Sequence, residues 1–395
     1  MILELHILQN FAPSNLNRDD TNAPKDCIFG GHRRARISSQ CIKRSVRWHK
    51  SFAENVRSGG GDLGVRTKRL KFRLAGIFVD SFKKESEASG KVASMVIDLI
   101  GLKLKDPEKT EYLLYFGENE ILELAQIGNA HWGILLAESE KTEDTAKSEE
   151  VKKKKKSKTS NEEMKPVEAA LKGVIGKSRT SNQSYAADIA LFGRMVADDK
   201  NMNVDAACQV AHGLSTHKVD MEMDYFTAVD DLLPEDSSGS DMIGNVEFNS
   251  SCFYRYANID LKKLGENLGS GNSDLLVATV KGFVEASIKA VPTGKQNSMA
   301  AQNPPEYARV IIRNDGFPWS LANAFQKPIR AGHTVSIEEA SIEALDSYYK
   351  KLDKVYGSDG VICDSFMNLI TEEGSLKGII ADVSRTLKTL VEEEK

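Results

Sequence analysis

NRDDTNAPKDCIFGGHRRARISSQCIKRSVRWHK, residues Asn17 to Lys50, is the stretch on which the reading of this chain turns. A polar loop carrying Arg18 and Lys25 runs through Gly30 and Gly31 into Arg33, Arg34 and Arg36. Ser38 and Ser39 then open a helix bearing Lys43, Arg44, Arg47 and Lys50. Either serine suits the cap of that helix, whose unpaired first-turn amides and positive dipole end attract an anion. Lys43, Arg47 and Lys50 recur at i, i+4 and i+7, so one continuous helix displays them as a single cationic stripe. The guanidinium fork matches phosphate oxygens and also stacks on bases. A solvated basic helix face is the plain alternative, and the basic, glycine-bearing loop before the helix argues for phosphate binding instead.

Upstream, ILELHILQ (Ile2 to Gln9) is a short apolar run with partial alternation, the pattern of a buried strand with His6 in a structural place. Pro13 and the polar cluster after it end that strand, so the chain begins strand, loop, helix. SGGGDLG from Ser58 breaks regularity. Beyond it KRLKFRLAGIFVDSFKK, VASMVIDLIGLKL and EYLLYFGENEILELAQIGNAHWGILLAE place apolar residues three and four apart, as helices do. Lys141 to Lys165 has almost no apolar content and reads as a solvated mobile loop. The segments EAALKGVIG and SYAADIALFGRMVADD read as helical or mixed, with Gly193 a breaker and Met195 at a turn.

Around Asp220, Glu222 and Asp224 acids alternate with Met221, Met223 and Tyr225, the period of an exposed ribbon. With the turn residues that follow, Val219 to Ser251 reads as a projecting hairpin whose apolar tips, Met223, Phe226 and Ile243, face outward. EFNSSCFYRYANI returns to strand alternation. Tyr254 and Tyr256 share a face there, as core residues, since the aromatic pattern of a base-stacking RNA-recognition sheet is absent. A loop with Gly294 and Lys295, a strand from Ala308 to Ile312, a helix capped by Ser320 and two C-terminal helices complete the chain.

The chain has 395 residues, 41% of them hydrophobic, enough for two or three cores. Its formal charge of −4 argues against a generally polyanion-binding protein, but the charge is polarised. Residues 1–75 hold 15 Lys and Arg against 6 Asp and Glu, leaving 38 against 51 for the rest. A basic face on an acidic protein binds a polyanion, while acidic surfaces elsewhere meet basic faces of neighbouring subunits. The five cysteines lack metal or disulfide spacing, which points to no metal and to a reducing, cytoplasmic setting. No signal peptide or membrane span is expected.

The stretch from Leu16 to Arg47 resembles the signature of the backbone subunit of type I-E CRISPR surveillance complexes (Cascade), the CasC family. The resemblance continues through IALFGRMV, VAHGLSTHKVD, YFTAVDDL, EFNSSCFYRYANIDL, GKQNSMAAQNP and SLANAFQKP. It implies an α+β fold with an RRM-like (ferredoxin-like) palm, a helical fingers insertion and a β-hairpin thumb. On that pattern residues 1–60 begin the palm and 61–190 are the fingers. Residues 191–218 return to the palm, 219–251 form the thumb, and 252–395 complete the palm with C-terminal helices.

The resemblance also implies copies assembled head to tail along a guide RNA (crRNA) that pairs with target DNA, without a cofactor. Its implied partners are large, small, guide-processing and 5′-handle-capping subunits and a recruited target-degrading nuclease. Residue by residue, it implies RNA contacts at Arg18, Lys25, Ser38, Gln40, Lys43, Arg44 and Arg47; Arg34 and Ser39 of the same basic loop and helix start, and Lys295 of the TGKQ loop, are further candidate RNA contacts. Met195 and Ile243 match the apolar positions that press on a nucleotide displaced beneath a neighbouring thumb. The Lys152 to Lys158 run has no counterpart in the pattern.

The expectation is therefore a non-catalytic scaffold. The rival reading is a metal-dependent ribonuclease resembling type III backbone subunits, with Asp26 as catalytic residue and Asp19, Asp20 and His32 nearby. A general single-strand binder, independent of partner subunits, is the third.

Overall fold

The computed structural model describes residues 1–147, 161–175, 185–196, 200–228, 231, 242–269, 271–314, 316–332 and 334–393. The chain divides into two compact units. One comprises Met1–Gly59, Cys208–Lys262 and Leu276–Lys395, and the other Gly60–Ala207 with Lys263–Leu275. The sequence reading starts the return to the palm at residue 191, but 191–207 belong with the second unit.

In chain order the elements are β1 (Ile2–Ser14), β2 (Asp26–Phe29), β3 (His32–Ile37), α1 (Ser39–Trp48), α2 (Lys50–Ser58), β4 (Gly64–Thr67), α3 (Leu70–Asp80), α4 (Ser86–Leu99), β5 (Leu114–Gly117), α5 (Glu118–Ala130), α6 (Trp132–Lys147), α7 (Asn161–Val174) and α8 (Ala187–Phe192). There follow β6 (Cys208–Val210), β7 (Gly213–Ser215), β8 (Glu222–Ala228), β9 (Met242–Asp260), α9 (Leu261–Leu268), α10 (Ser273–Lys289), α11 (Gln296–Met299), β10 (Tyr307–Arg313), α12 (Ile337–Tyr356), β11 (Val361–Asn368), β12 (Glu373–Gly374) and α13 (Leu376–Glu393).

The first unit is built on an antiparallel sheet in the order β12-β11-β10-β1-β9-β7-β3-β2, with β6 and β8 also paired to β9. Strand β1 lies between β9 and β10, Leu5 opposite both Ala257 and Val310. Its alternation gives the two faces different cores. Leu5 and Ile7 line the same small space as Ile42 and Val46 of α1 and Phe283 of α10, so these helices cover one face. The other face carries Leu8, Tyr254, Tyr256, Tyr307 and Ile311, packed against Trp319, Phe325 and Ile342, Leu345 and Tyr349 of α12. Tyr254 and Tyr256 are thus buried core residues rather than rings open to a base.

His6 sits among them, fully buried. The Tyr254 hydroxyl accepts from the Leu321 amide at 2.9 Å and is hydrogen-bonded to His6 Nδ1, also at 2.9 Å. Burial pushes the imidazole down to about 3. Glu4 and Arg313 pair at 2.6 Å on the same buried face, and burial raises the Glu4 carboxyl.

The second unit packs α3 to α7 around a core including Leu74, Phe78, Val96, Ile97, Leu124 and Leu171, beside the two-stranded sheet β4-β5. The helical reading of the EYLLYFGEN stretch is corrected at its start: Leu114–Gly117 pairs with Gly64–Thr67 as a strand before α5 begins. The solvated loop placed at 141–165 is helical at both flanks, in α6 and from residue 161 in α7. Lys152 to Lys158 lie outside the described residues.

Three further differences have local causes. Strand β1 continues through Pro13 to Ser14 by way of a bulge after Phe11. The helix assigned after Ser320 is a single 3-10 turn, Leu321–Phe325, with no side-chain cap. Between the last two helices lies β11, whose alternately buried Cys363 and Ser365 mark a strand that the sequence reading omits. Among the described residues no helix is long and apolar enough to cross a membrane.

Candidate nucleic-acid interface

The polar run before the helix is a hairpin rather than an open loop. Asp26–Phe29 pairs with His32–Ile37, and the two residues between them, Gly30 and Gly31, both have positive φ (59° and 77°). Glycine adopts that conformation without a Cβ clash, which is what a two-residue turn of this hand requires. Ahead of it, residues 17–25 close on themselves. Asp19 N–H donates to Ala23 O and Lys25 N–H to Asn17 O, both at 2.9 Å, and Arg18 Nη1 donates to the Asn22 side chain at 3.1 Å.

This closed loop is pinned from three sides. Asn17 Oδ1 accepts from the Ser38 amide at 2.8 Å, fixing the loop to the start of α1. Asn15 Nδ2 donates to Asn22 O and to Glu247 O of β9, each at 2.9 Å. Gly294 packs against the backbone of Leu16. Arg18, Lys25, the first turn of α1 and Lys295 are therefore held together on one unit, while the sequence separates them by as much as 277 positions.

Ser38 is the cap, its hydroxyl accepting from Cys41 N at 3.3 Å. The expected anion site in this first turn is narrower than the sequence suggests. Ser38 N–H is held by Asn17, Ser39 N–H by His212 Nδ1 at 3.3 Å, and Cys41 N–H by the cap itself. Ser39 is half-buried and Gln40 exposed. The stripe is shorter too. His49 is extended, ending α1 and accepting from Ser51 N at 3.2 Å as the cap of α2, so Lys50 belongs to a second helix. Lys43 and Arg47 remain on one face of α1, with Arg44 exposed beside them.

Arg34 requires correction as an RNA contact. It is 0% exposed, and its guanidinium donates to the carbonyls of Ser215 (3.0 Å), Thr216 (2.8 Å) and Phe325 (2.7 Å). A fork occupied in this way joins β3 to β7 and to the 3-10 turn, and does not reach solvent. Asp26, the residue of the nuclease reading, is ion-paired with Arg33 across the hairpin. Asp19 accepts from Thr21 and Ala23, and these hydrogen bonds hold its carboxyl below its ordinary value. Among the described residues no three His, Cys, Asp or Glu side chains cluster as a metal set.

Two neighbours escaped the sequence reading. His212, exposed at the start of β7, receives Ser39 N–H and lies 3.3 Å from Arg36 Nη1, both at Nδ1. Partial burial, then Arg36 and Lys25, lower its pKa; Nδ1, accepting from Ser39 N–H, leaves Nε2 to carry a proton. Trp48 is 70% exposed, with the Arg44 guanidinium 5.2 Å from its ring centre, an aromatic and cation pair one helical turn apart.

Ile243 lies on β9 where it pairs with β8, opposite Thr227, and is exposed like every residue of β8. The turn of this hairpin, with Pro234, falls largely outside the described residues. Met195 belongs to the second unit. Its neighbour Arg194 is buried against Glu120 at 2.8 Å and bridges to Val204, Val196 is buried again, and Met195 between them is turned out, 88% exposed.

The sheet unit of this two-unit α+β protein thus bears a pinned basic loop, a capped basic helix and an exposed hairpin, and cationic side chains of this kind can pair with phosphates. Residues 3–393 match the CT1975-like protein family, and the chain belongs to that family. A solved chain described as "CRISPR RNA-guided surveillance complex, pre-nicking" is similar over 98% of this chain and 100% of its own, with 28% identity and a TM-score of 0.74. A chain of another "CRISPR RNA-guided surveillance complex" shares the fold at 24% identity and a TM-score of 0.66, over 98% of this chain and 100% of its own. A comparison with curated protein sequences returned no match.

Proposed function

We propose that this chain is a non-catalytic guide-RNA-binding backbone subunit of a type I-E CRISPR surveillance complex, acting in the cytoplasm. It polymerises head to tail along crRNA, with the other Cascade subunits at the ends and flank of the filament. It presents the guide for pairing with target DNA, so that base pairing reads sequence while the protein holds the backbone. The observation that carries this reading is the pinned group of Arg18, Lys25, Ser38, Lys43, Arg44 and Arg47, in a chain similar along its length to a surveillance-complex chain. Strands β10, β1, β9 and β7 lie side by side with α1 and α10 as crossovers, an order that supports an RRM-like palm. The exposed β8-β9 pair supports a thumb, and the helical second unit supports fingers. A heterologous contact leaves open ends, which other subunits must cap.

In this reading Asp26 orients Arg33 and does not carry catalysis, a role consistent with their ion pair. The deciding experiment is expression with a guide and partner subunits, followed by the mass and RNA content of the purified complex. Several copies per RNA are expected. A protein recovered as an RNA-free monomer would overturn the reading, and RNA cutting lost on Asp26→Ala with binding retained would restore the nuclease.

A further inference from the structure

His212, in the short link between β6 and β7, stands at the start of α1, its Nδ1 3.3 Å from Ser39 N and 3.3 Å from Arg36 Nη1. We propose that His212 donates its Nε2–H to a ribose 2′-hydroxyl of the bound strand, and so makes the grip selective for RNA over DNA of the same sequence. The inference rests on the RNA-binding reading above and adds to it a residue that distinguishes the sugar.

Three observations carry it. The first is that the ring is held and its tautomer set. Ala211 N–H donates to Tyr256 O at 2.9 Å on one side of His212, and on the other Gly213 and Leu214 pair with Ile37 and Arg36 of β3. Both neighbours of Nδ1, the Ser39 amide and the Arg36 guanidinium, are donors. Nδ1 is therefore the acceptor, and the neutral ring carries its proton at Nε2. The side chain is exposed, and Nε2–H has no acceptor among the described residues. A donor in a fixed place is thus left open beside the helix start.

The second observation is its surroundings. His212 lies at the joint between the closed loop and α1, where Asn17 holds the Ser38 amide, and the charges that act on it are those of Arg36 and Lys25. Arg36 is itself set in place, its Nε donating to Asp26 O at 3.0 Å. Along a strand each sugar lies between two phosphates, and here a neutral donor lies between cations. The third observation is chemical. Partial burial and those cations hold the imidazole below its ordinary value, so near neutral pH it is an uncharged donor, suited to a hydroxyl oxygen more than to a phosphate. Base edges change with sequence, whereas the 2′-hydroxyl recurs at every nucleotide of RNA and is missing from DNA. For a subunit that holds guides of arbitrary sequence, it is the constant neutral acceptor.

The test measures binding of three labelled strands of one length by the full-length chain, at fixed salt and neutral pH: oligouridylate, its 2′-deoxy counterpart and its 2′-fluoro counterpart. The fluoro sugar keeps the ribose pucker but accepts hydrogen bonds poorly, so it separates the hydroxyl from the shape of the strand. The parent should prefer oligouridylate to both of the others by roughly two- to tenfold for one such contact. His212→Asn keeps an acceptor at the δ position for Ser39 N–H and lacks the Nε2 donor. It should narrow that preference by weakening oligouridylate alone, whereas Lys43→Ala should weaken all three strands alike. Equal binding of the three strands by the parent, a 2′-fluoro strand bound as tightly as oligouridylate, or a preference unchanged in His212→Asn overturns the ribose contact and leaves the RNA-binding reading standing. So does an equal loss on every strand in His212→Asn, which would make the histidine part of the phosphate grip. Failure of the parent chain to bind any of the strands overturns both.

Discussion

Gly294 and Leu16 meet backbone to backbone: a Cβ on Gly294 would lie 2.3 Å from the Leu16 carbonyl oxygen and 2.6 Å from its carbon. No rotamer change relieves such an overlap, because both partners are main chain. This close approach is what places the left-handed turn at Lys295 (φ 50°) beside the closed loop.

Gly294→Ala should therefore act on RNA binding through Lys295. The substitution pushes the Lys295 turn from Leu16 and moves the ammonium away from the closed loop, with a several-fold loss of affinity. A double-mutant cycle separates this from general damage. If the displacement of Lys295 is the cause, Gly294→Ala adds nothing once Lys295→Ala is present. Fully additive effects would mean that the glycine acts by some other route.

Arg34 predicts the opposite separation. Truncation removes the donor from the buried carbonyls of Ser215, Thr216 and Phe325; Thr216 O keeps the Ile329 N–H at 3.0 Å, and the loss costs about 1–3 kcal/mol for each group left unsatisfied. Arg34→Ala should lower stability by roughly 3 kcal/mol or more, read from denaturant midpoints. The salt dependence of RNA binding by the folded protein should not change. A reduced salt slope with unaltered stability would return Arg34 to the interface.

Lys43 and Arg47 make the direct test of phosphate binding. Removing either charge should weaken binding of every sequence alike and reduce the log-log salt slope by about 0.7 for each phosphate no longer neutralised, the value for single strands. Lys50→Ala, on the separate helix α2, should reduce it less. A weakening that depends on base sequence, or an unchanged slope for all three, contradicts a backbone grip.

The fates of Arg34 and Lys50 show where the sequence was legible. Strand β1, the long exposed hairpin, the cap at Ser38 and the buried Tyr254 and Tyr256 all announce themselves by local periodicity or by one residue type in one place. Arg34 does not, because the carbonyls that bury it come from residues 215, 216 and 325 and nothing near it in sequence marks them. Lys50 was misplaced for a subtler reason. A helix break normally shows as glycine or proline, and here His49 breaks it by capping the next helix with its ring. The glycine pair Gly30-Gly31 stands out in the loop, but the strands that flank it carry too few apolar residues to read as strands, so the hairpin does not show. A cavity beside Lys295 is lined from four segments spread over more than two hundred residues, so no local pattern signals it.

His6 supplies a pH dependence whose sign is fixed by its burial. Its folded pKa of about 3 lies below the ordinary value of 6.5, so the native state resists a proton that the unfolded chain takes up. The stabilising contribution is complete above pH 6.5 and is lost as pH falls from there towards 3. Each pH unit within that window costs about 1.4 kcal/mol at most. Glu4, raised by burial, works in the other direction, because the native state accepts its proton more readily than the unfolded chain does. His6→Gln removes the titrating ring and keeps an acceptor within reach of the Tyr254 hydroxyl. Denaturant midpoints at pH 7, 5.5 and 4 should fall steeply for the parent and more gently for the variant, with the curves converging or crossing at the acid end. Parallel declines in the two proteins would mean that the acid sensitivity of the sheet unit comes from other groups.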